Sequence, residues 1–102
     1  MSAGTFQDTR RGRWDLVLNA TSTSLAGDVV ELPAGVVGAE TICYDMAYSR
    51  HPTPFQRWAL ERGVTRSYQG WGMLVEQAAE SYLLWHGVRP ATAPVLGALA
   101  TL

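Results

Sequence analysis

Apolar residues along this chain gather in short unbroken runs in its first half and at helical spacing in its second. Leu16-Val17-Leu18 is a continuous apolar run closed by Asn19, Thr21, Ser22, Thr23 and Ser24. That pattern predicts a strand over residues 15–20 buried on both faces, as in a parallel sheet. Residues 41–48 predict a second strand, rich in β-branched and aromatic side chains. Alternation puts Tyr44, Met46 and Tyr48 on one side and Cys43, Asp45 and Ala47 on the other. An acid on such a strand needs hydrogen-bond partners, so Asp45 either binds backbone as a structural acid or belongs to a site. Residues 64–68 suit a third, shorter strand. Residues 1–14 have no clear period and read as a loop or broken element. Between the first two strands, Leu32-Pro33 and Val36-Val37 are expected to anchor an irregular connection to the core.

Two helices carry clear punctuation. Thr53 is placed as an N-cap, Pro54 as the first helical residue and Gln56 as the partner that completes a capping box, with Gly63 as the stop. The longer helix opens at Gly70-Trp71-Gly72 and runs through His86 to Gly87. At about 100° per residue, Leu74, Val75, Ala78, Ala79, Tyr82 and Trp85 cover roughly half its circumference, the mark of a helix packed inside a domain. Glu76, Gln77, Glu80 and Ser81 take the other half, with Met73 and Leu84 in their midst. Isolated exposed apolar residues are common. A stripe of Met73, Gln77 and Leu84 facing a ligand or a second domain is the sharper reading. After Pro90, the residues Val95, Leu96, Leu99 and Leu102 share one face of a last helix with Pro94 in its first turn, and His86 is expected to cap a carbonyl at the end of the preceding one.

With 102 residues, 47% of them hydrophobic, one modest core is the limit. A net charge of −1 offers no electrostatic basis for nucleic acid or an anionic membrane as partner, and Arg10, Arg11 and Arg13 are offset by Asp8 and Asp15. Cys43 is the single cysteine, so no disulfide closes within the chain, and a small buried hydrophobe is the expected role. No apolar run approaches membrane-spanning length and no signal peptide is evident, which makes the cytoplasm the expected location. All eight basic residues are arginine, leaving no lysine for proton transfer or phosphate binding. Two histidines without nearby acids in sequence do not suggest a triad or a metal centre. Neither a G-x-G-x-x-G loop nor a Walker motif occurs. The hydroxyl-rich turn after Asn19 would stand at the carboxyl end of a strand, where open α/β sheets bind ligands, although an ordinary turn has the same composition.

The order of motifs resembles the C-terminal part of shikimate dehydrogenase. It is carried by Asn19-Ala20-Thr21-Ser22, Tyr44-Asp45-Met46-Ala47-Tyr48, Thr53-Pro54-Phe55, Gly70-Trp71-Gly72-Met73-Leu74-Val75-Glu76-Gln77-Ala78-Ala79 and Leu84-Trp85-His86-Gly87. The resemblance implies an α/β fold, part of a Rossmann-like doubly wound parallel sheet with C-terminal helices, after an irregular start at residues 1–14. It implies an enzyme that uses NADPH to reduce 3-dehydroshikimate to shikimate in chorismate and aromatic amino acid biosynthesis. Cofactor-binding positions carried over are Met46 and Met73 at the nicotinamide, Gly70 with its backbone beside it, and Asn19, Thr21 and Ser22 in the turn along the cofactor. Tyr48 and Gln77 match the groups that hydrogen-bond the substrate, so that Met46 and Gln77 are expected to face a common cleft.

The N-terminal substrate domain of that family is absent from this sequence, with its catalytic lysine and aspartate, as is the glycine-rich phosphate loop. Glu76 stands where a small residue is common in the family and is expected to be tolerated at the surface. No catalytic residue and no metal ligand is therefore expected in this chain, which alone should be inactive and should need the missing N-terminal domain as partner. A homodimer is a further candidate assembly. A quinate/shikimate or aminoshikimate dehydrogenase, or a non-catalytic remnant acting as a binding module, are the alternatives. Parallel strands deprived of neighbouring βαβ units would leave Leu16 to Leu18 with an uncovered edge or face, so self-association is expected.

Overall fold

The computed structural model describes residues 3–21, 23 and 32–100, in two compact units, Met1–Gln69 and Gly70–Leu102. The first unit is built on three parallel strands, β1 (Leu16–Asn19), β2 (Ile42–Asp45) and β3 (Arg66–Gln69), in the order β1-β2-β3. Their register aligns Leu18 with Tyr44 and Tyr68, and Asn19 with Asp45 and Gln69. Before β1, residues that the sequence leaves irregular form a short 3-10 helix, Phe6–Arg11, where the Thr5 N–H donates to Asp8 Oδ2 at 2.7 Å.

Helix α1 (Pro54–Glu61) starts where its capping box predicts. Thr53 Oγ1 accepts from the Gln56 N–H at 3.2 Å and Gln56 Oε1 accepts from the Thr53 N–H at 3.0 Å. The helix gives way to Gly63 at φ +87°, a left-handed residue that an L side chain would strain. Phe55, Trp58 and Ala59 face the sheet and form the core with Val36, Val37, Cys43 and Val64, joined by the half-buried Val17 and Leu32. Val36 and Val37 thus anchor the connection as expected, while its residues 24–31 lie outside the described residues. Cys43 is fully buried, and burial pushes its thiol pKa up, as suits an inert core residue.

The expectation of a first strand buried on both faces is corrected. Val17 packs into the core, but Leu16 is 54% and Leu18 58% exposed on the opposite face, where Tyr68 is exposed too. A continuous apolar run shows that both faces of a strand are made to be covered, and within this unit α1 covers one. An apolar sheet face open to water favours association. The wild-type chain should therefore sediment as larger species with rising concentration, and a Leu16→Thr/Leu18→Thr variant, which keeps β propensity, should stay monomeric. A wild type that remains monomeric across that concentration range would contradict the assignment of this face as sticky.

The second unit holds α2 (Trp71–His86) and α3 (Ala93–Leu99). Gly87 ends α2 in the left-handed conformation at φ +77°, donating its N–H to the Leu83 carbonyl at 2.8 Å. Leu74, Val75, Ala78, Ala79 and Tyr82 line an apolar groove with Val95 and Leu99 of α3. Trp85 was expected on this packed arc and is 77% exposed instead, because the arc's edge turns past α3 at the end of the helix. His86 lies against the Tyr82 ring, centroids 4.4 Å apart. Arg89 reaches back to Glu76 and to Glu80, the latter at 2.8 Å. The Glu76 carboxyl is held below its ordinary pKa by a side-chain hydrogen bond with Thr92 and then by Arg89, so this surface acid fastens the segment that follows α2.

Candidate functional site

The last residues of the three strands are polar and lie side by side: Asn19, Asp45 and Gln69. Alternation turns all three toward the face that α1 covers, so each must find partners there. Asp45 is fully buried. Its Oδ1 accepts from Asn19 Nδ2 at 3.3 Å and from the Ala47 N–H at 3.1 Å, and its Oδ2 from Thr53 Oγ1 at 2.6 Å. One carboxyl group thereby ties the end of β1, the turn after β2 and the cap of α1. It is a structural acid, one of the two roles that the sequence left open.

Asn19 passes the constraint outward. Its Oδ1 accepts from the Thr21 N–H at 3.1 Å and the Thr21 hydroxyl at 2.6 Å, and the Thr21 and Thr23 hydroxyls are 2.7 Å apart. The Met46 N–H donates to the Asn19 carbonyl at 3.1 Å, extending the β1–β2 ladder by one residue. Above this layer, Thr21, Met46, Ala47 and Tyr48 line an open pocket of about 360 Å³ at the carboxyl end of the sheet. Of the positions marked from sequence in the first unit, the structure therefore brings Thr21, Met46 and Tyr48 around one pocket and puts Asn19 beneath it. Ser22 lies outside the described residues.

In the second unit, Gly70 is the buried N-cap of α2 and its carbonyl accepts from the Leu74 N–H at 3.0 Å. Met73 and Gln77, one turn apart, are both exposed, and Leu84 on the same stripe is 83% exposed. Exposure of the stripe fits both readings drawn from the sequence, isolated surface residues and a face for a ligand or second domain. Two participants escaped the sequence reading. Gln69 and the amide of Gln56 join β3 to the loop after Tyr48, with Gln69 Nε2 donating to Gln56 Oε1 at 2.8 Å. The one available signal was a polar residue ending each of three successive strands.

The family model of the shikimate 5'-dehydrogenase C-terminal domain matches residues 70–100. A shikimate dehydrogenase (NADP(+)) of Alkalilimnicola ehrlichii is 51% identical over 92 residues, covering 90% of this chain and 34% of the relative. One of Bordetella petrii is 54% identical over 92 residues, with 89% and 32% covered. Among solved structures, an Ael1 enzyme from Pseudomonas putida superposes with a TM-score of 0.81 at 47% identity, over 90% of this chain and 34% of that one. Shikimate 5-dehydrogenase from Thermus thermophilus, in complex with shikimate, gives 0.70 at 28% identity, over 96% and 36%. The chain spans about a third of the length of the curated relatives it matches.

Proposed function

We propose that this chain belongs to the shikimate dehydrogenase family, whose C-terminal domain model matches its residues 70–100, and that it supplies the nicotinamide wall and part of the substrate contacts of an NADP-dependent dehydrogenase reducing 3-dehydroshikimate to shikimate. The observation that carries this reading is the pocket at the strand ends, where the Met46 thioether and the Ala47 methyl adjoin the Tyr48 phenol and the Thr21 hydroxyl. Apolar groups suit the face of a nicotinamide ring, and hydroxyl donors suit a polyhydroxylated acid. The dinucleotide, when bound, provides the hydride. In the bound enzyme Met46 and Met73 would each offer an apolar side chain to the nicotinamide ring, and Gly70 would offer it bare backbone. Asn19 orients the turn of Thr21 and Ser22 along the cofactor. Tyr48 and Gln77 would orient the substrate by hydrogen bonds, the positioning that hydride transfer requires.

Residues 15–102 are on this reading the C-terminal part of a nucleotide-binding domain, acting in the cytoplasm on a small molecule and not on nucleic acid or membrane. Lysine and the glycine-rich phosphate motif do not occur in the sequence. Proton transfer and phosphate binding then fall to the other two thirds of the enzyme. By itself the chain should not oxidise NADPH with 3-dehydroshikimate. Co-expression with the N-terminal two thirds of the Alkalilimnicola ehrlichii relative should yield a complex that does. Robust turnover by the chain alone, or a stable complex without activity, would overturn the reading.

A further inference from the structure

The two glutamine amides at the base of the site form a chain whose polarity is fixed at both ends by backbone. The Thr53 N–H can only donate, so the oxygen of Gln56 faces it, at 3.0 Å, and the Gln56 nitrogen points to Ser67 Oγ at 3.4 Å. The Gln56 oxygen also accepts from Gln69 Nε2 at 2.8 Å. That nitrogen donates in addition to the His51 carbonyl at 2.7 Å, while Gln69 Oε1 accepts from the Ser49 N–H at 2.6 Å. Turning either amide over would set like against like, so each has one satisfied orientation. Ser49 Oγ completes the loop by hydrogen-bonding the His51 carbonyl. Gln69, at the end of β3, thus binds the segment after Tyr48 at both Ser49 and His51 and is itself bound by the first turn of α1.

We propose that Gln69, oriented by Gln56, is the positioning residue that sets the segment 48–51 and with it the Tyr48 phenol, so that the pair tunes binding of the substrate acid without touching it. The cofactor side of the segment has its own restraints: the Met46 N–H is bonded to Asn19 and the Ala47 N–H to Asp45. The inference rests on the proposed role of Tyr48 in substrate binding.

Two isosteric changes separate the effect of hydrogen-bond polarity from that of volume. In Gln56→Glu both carboxylate oxygens accept, the bonds from Thr53 and Gln69 persist, and the Ser67 hydroxyl turns to donate. In Gln69→Glu the Ser49 bond persists, but a second oxygen is forced against the His51 carbonyl and Gln56 Oε1. Hydrogen exchange in the peptide spanning residues 48–51 of the 102-residue chain should quicken by about tenfold or more in Gln69→Glu and stay near wild type in Gln56→Glu. In the complex with the relative's N-terminal two thirds, Gln69→Glu should raise KM for 3-dehydroshikimate by about tenfold, with KM for NADPH within about twofold of wild type. Gln56→Glu, which keeps the bond from Gln69, should raise the KM for 3-dehydroshikimate several-fold less than Gln69→Glu does. Equal behaviour of the two variants, or a rise confined to the NADPH KM, would overturn the proposal. A wild-type complex lacking activity would instead overturn the reading of the site, and with it the link to Tyr48, while the exchange comparison would still decide whether the amides hold the loop.

Discussion

Replacing Asp45 with alanine should destabilise the chain by about 3–5 kcal/mol, because it removes one buried group on which three donors depend. Asn19 Nδ2, the Ala47 N–H and the Thr53 hydroxyl all end on its two oxygens, and the alanine methyl offers none of them a replacement. The loss is spread over three elements, so the β1 terminus, the Met46–Tyr48 turn and the cap of α1 should loosen together. A chain of this length is stable by only about 5–15 kcal/mol in total, so a loss of this size removes much of it. Asp45→Ala should accordingly unfold at a much lower urea midpoint than the wild type, followed by far-ultraviolet circular dichroism. Asp45→Asn keeps an oxygen for Asn19 and Ala47 and turns an amide toward Thr53 Oγ1, which already accepts from the Gln56 N–H. It should cost about 1 kcal/mol. A urea midpoint for Asp45→Ala equal to that of the wild type would sink the claim that this acid joins the strand ends.

What was legible in the sequence was what short-range chemistry decides. Thr53, Pro54 and Gln56 define a helix start by contacts within three residues, and the structure places α1 there. Gly87 ends α2 for the same reason, since only the local backbone has to turn. The strands lie where the apolar runs place them, with ends within three residues; the largest difference is β2, which stops at Asp45 and leaves Met46 and Tyr48 in the turn beyond it. Burial was less legible, because it depends on what covers a face. Leu16 and Leu18 have the composition of a doubly covered strand and are open to water, and Trp85 has the spacing of a core residue and is exposed. The polar layer under the site was hardest to read. Gln69 meets Gln56, His51 and Ser49 at separations of 13, 18 and 20 residues, and Asp45 meets Asn19 across 26. No periodicity in the chain encodes such pairs; parallel pairing in register creates them by aligning the ends of β1, β2 and β3. The pocket-lining positions Met46 and Tyr48 were marked by family resemblance, and the fold accounts for their neighbours.

Phe55→Ala should be the other severe substitution, at about 3–5 kcal/mol, since it empties the centre of the core under α1. Phe55 is 1% exposed and stacks on Trp58 with ring centroids 5.7 Å apart, and both lie on the helix face that covers Cys43 and Val64. A chain this small has few other large side chains to collapse into the space. Phe55→Leu, which keeps most of the volume, should cost about 1–1.5 kcal/mol. The consequence for the site lies in the coupling. Phe55 is two residues from Thr53, whose hydroxyl binds Asp45, so the packing of the first turn of α1 and the polar layer restrain the same backbone. Residues sharing partners in this way lose less together than the sum of their separate losses, once the first change has freed the helix start. In a cycle of the two mild variants, Phe55→Leu and Asp45→Asn, the double variant should therefore be more stable than the sum predicts, by about 0.5 kcal/mol or more, read from urea midpoints at constant slope. Strict additivity would mean that the core and the strand-end layer are independent, and that the cap of α1 does not transmit the packing of the helix to the loop bearing Met46 and Tyr48.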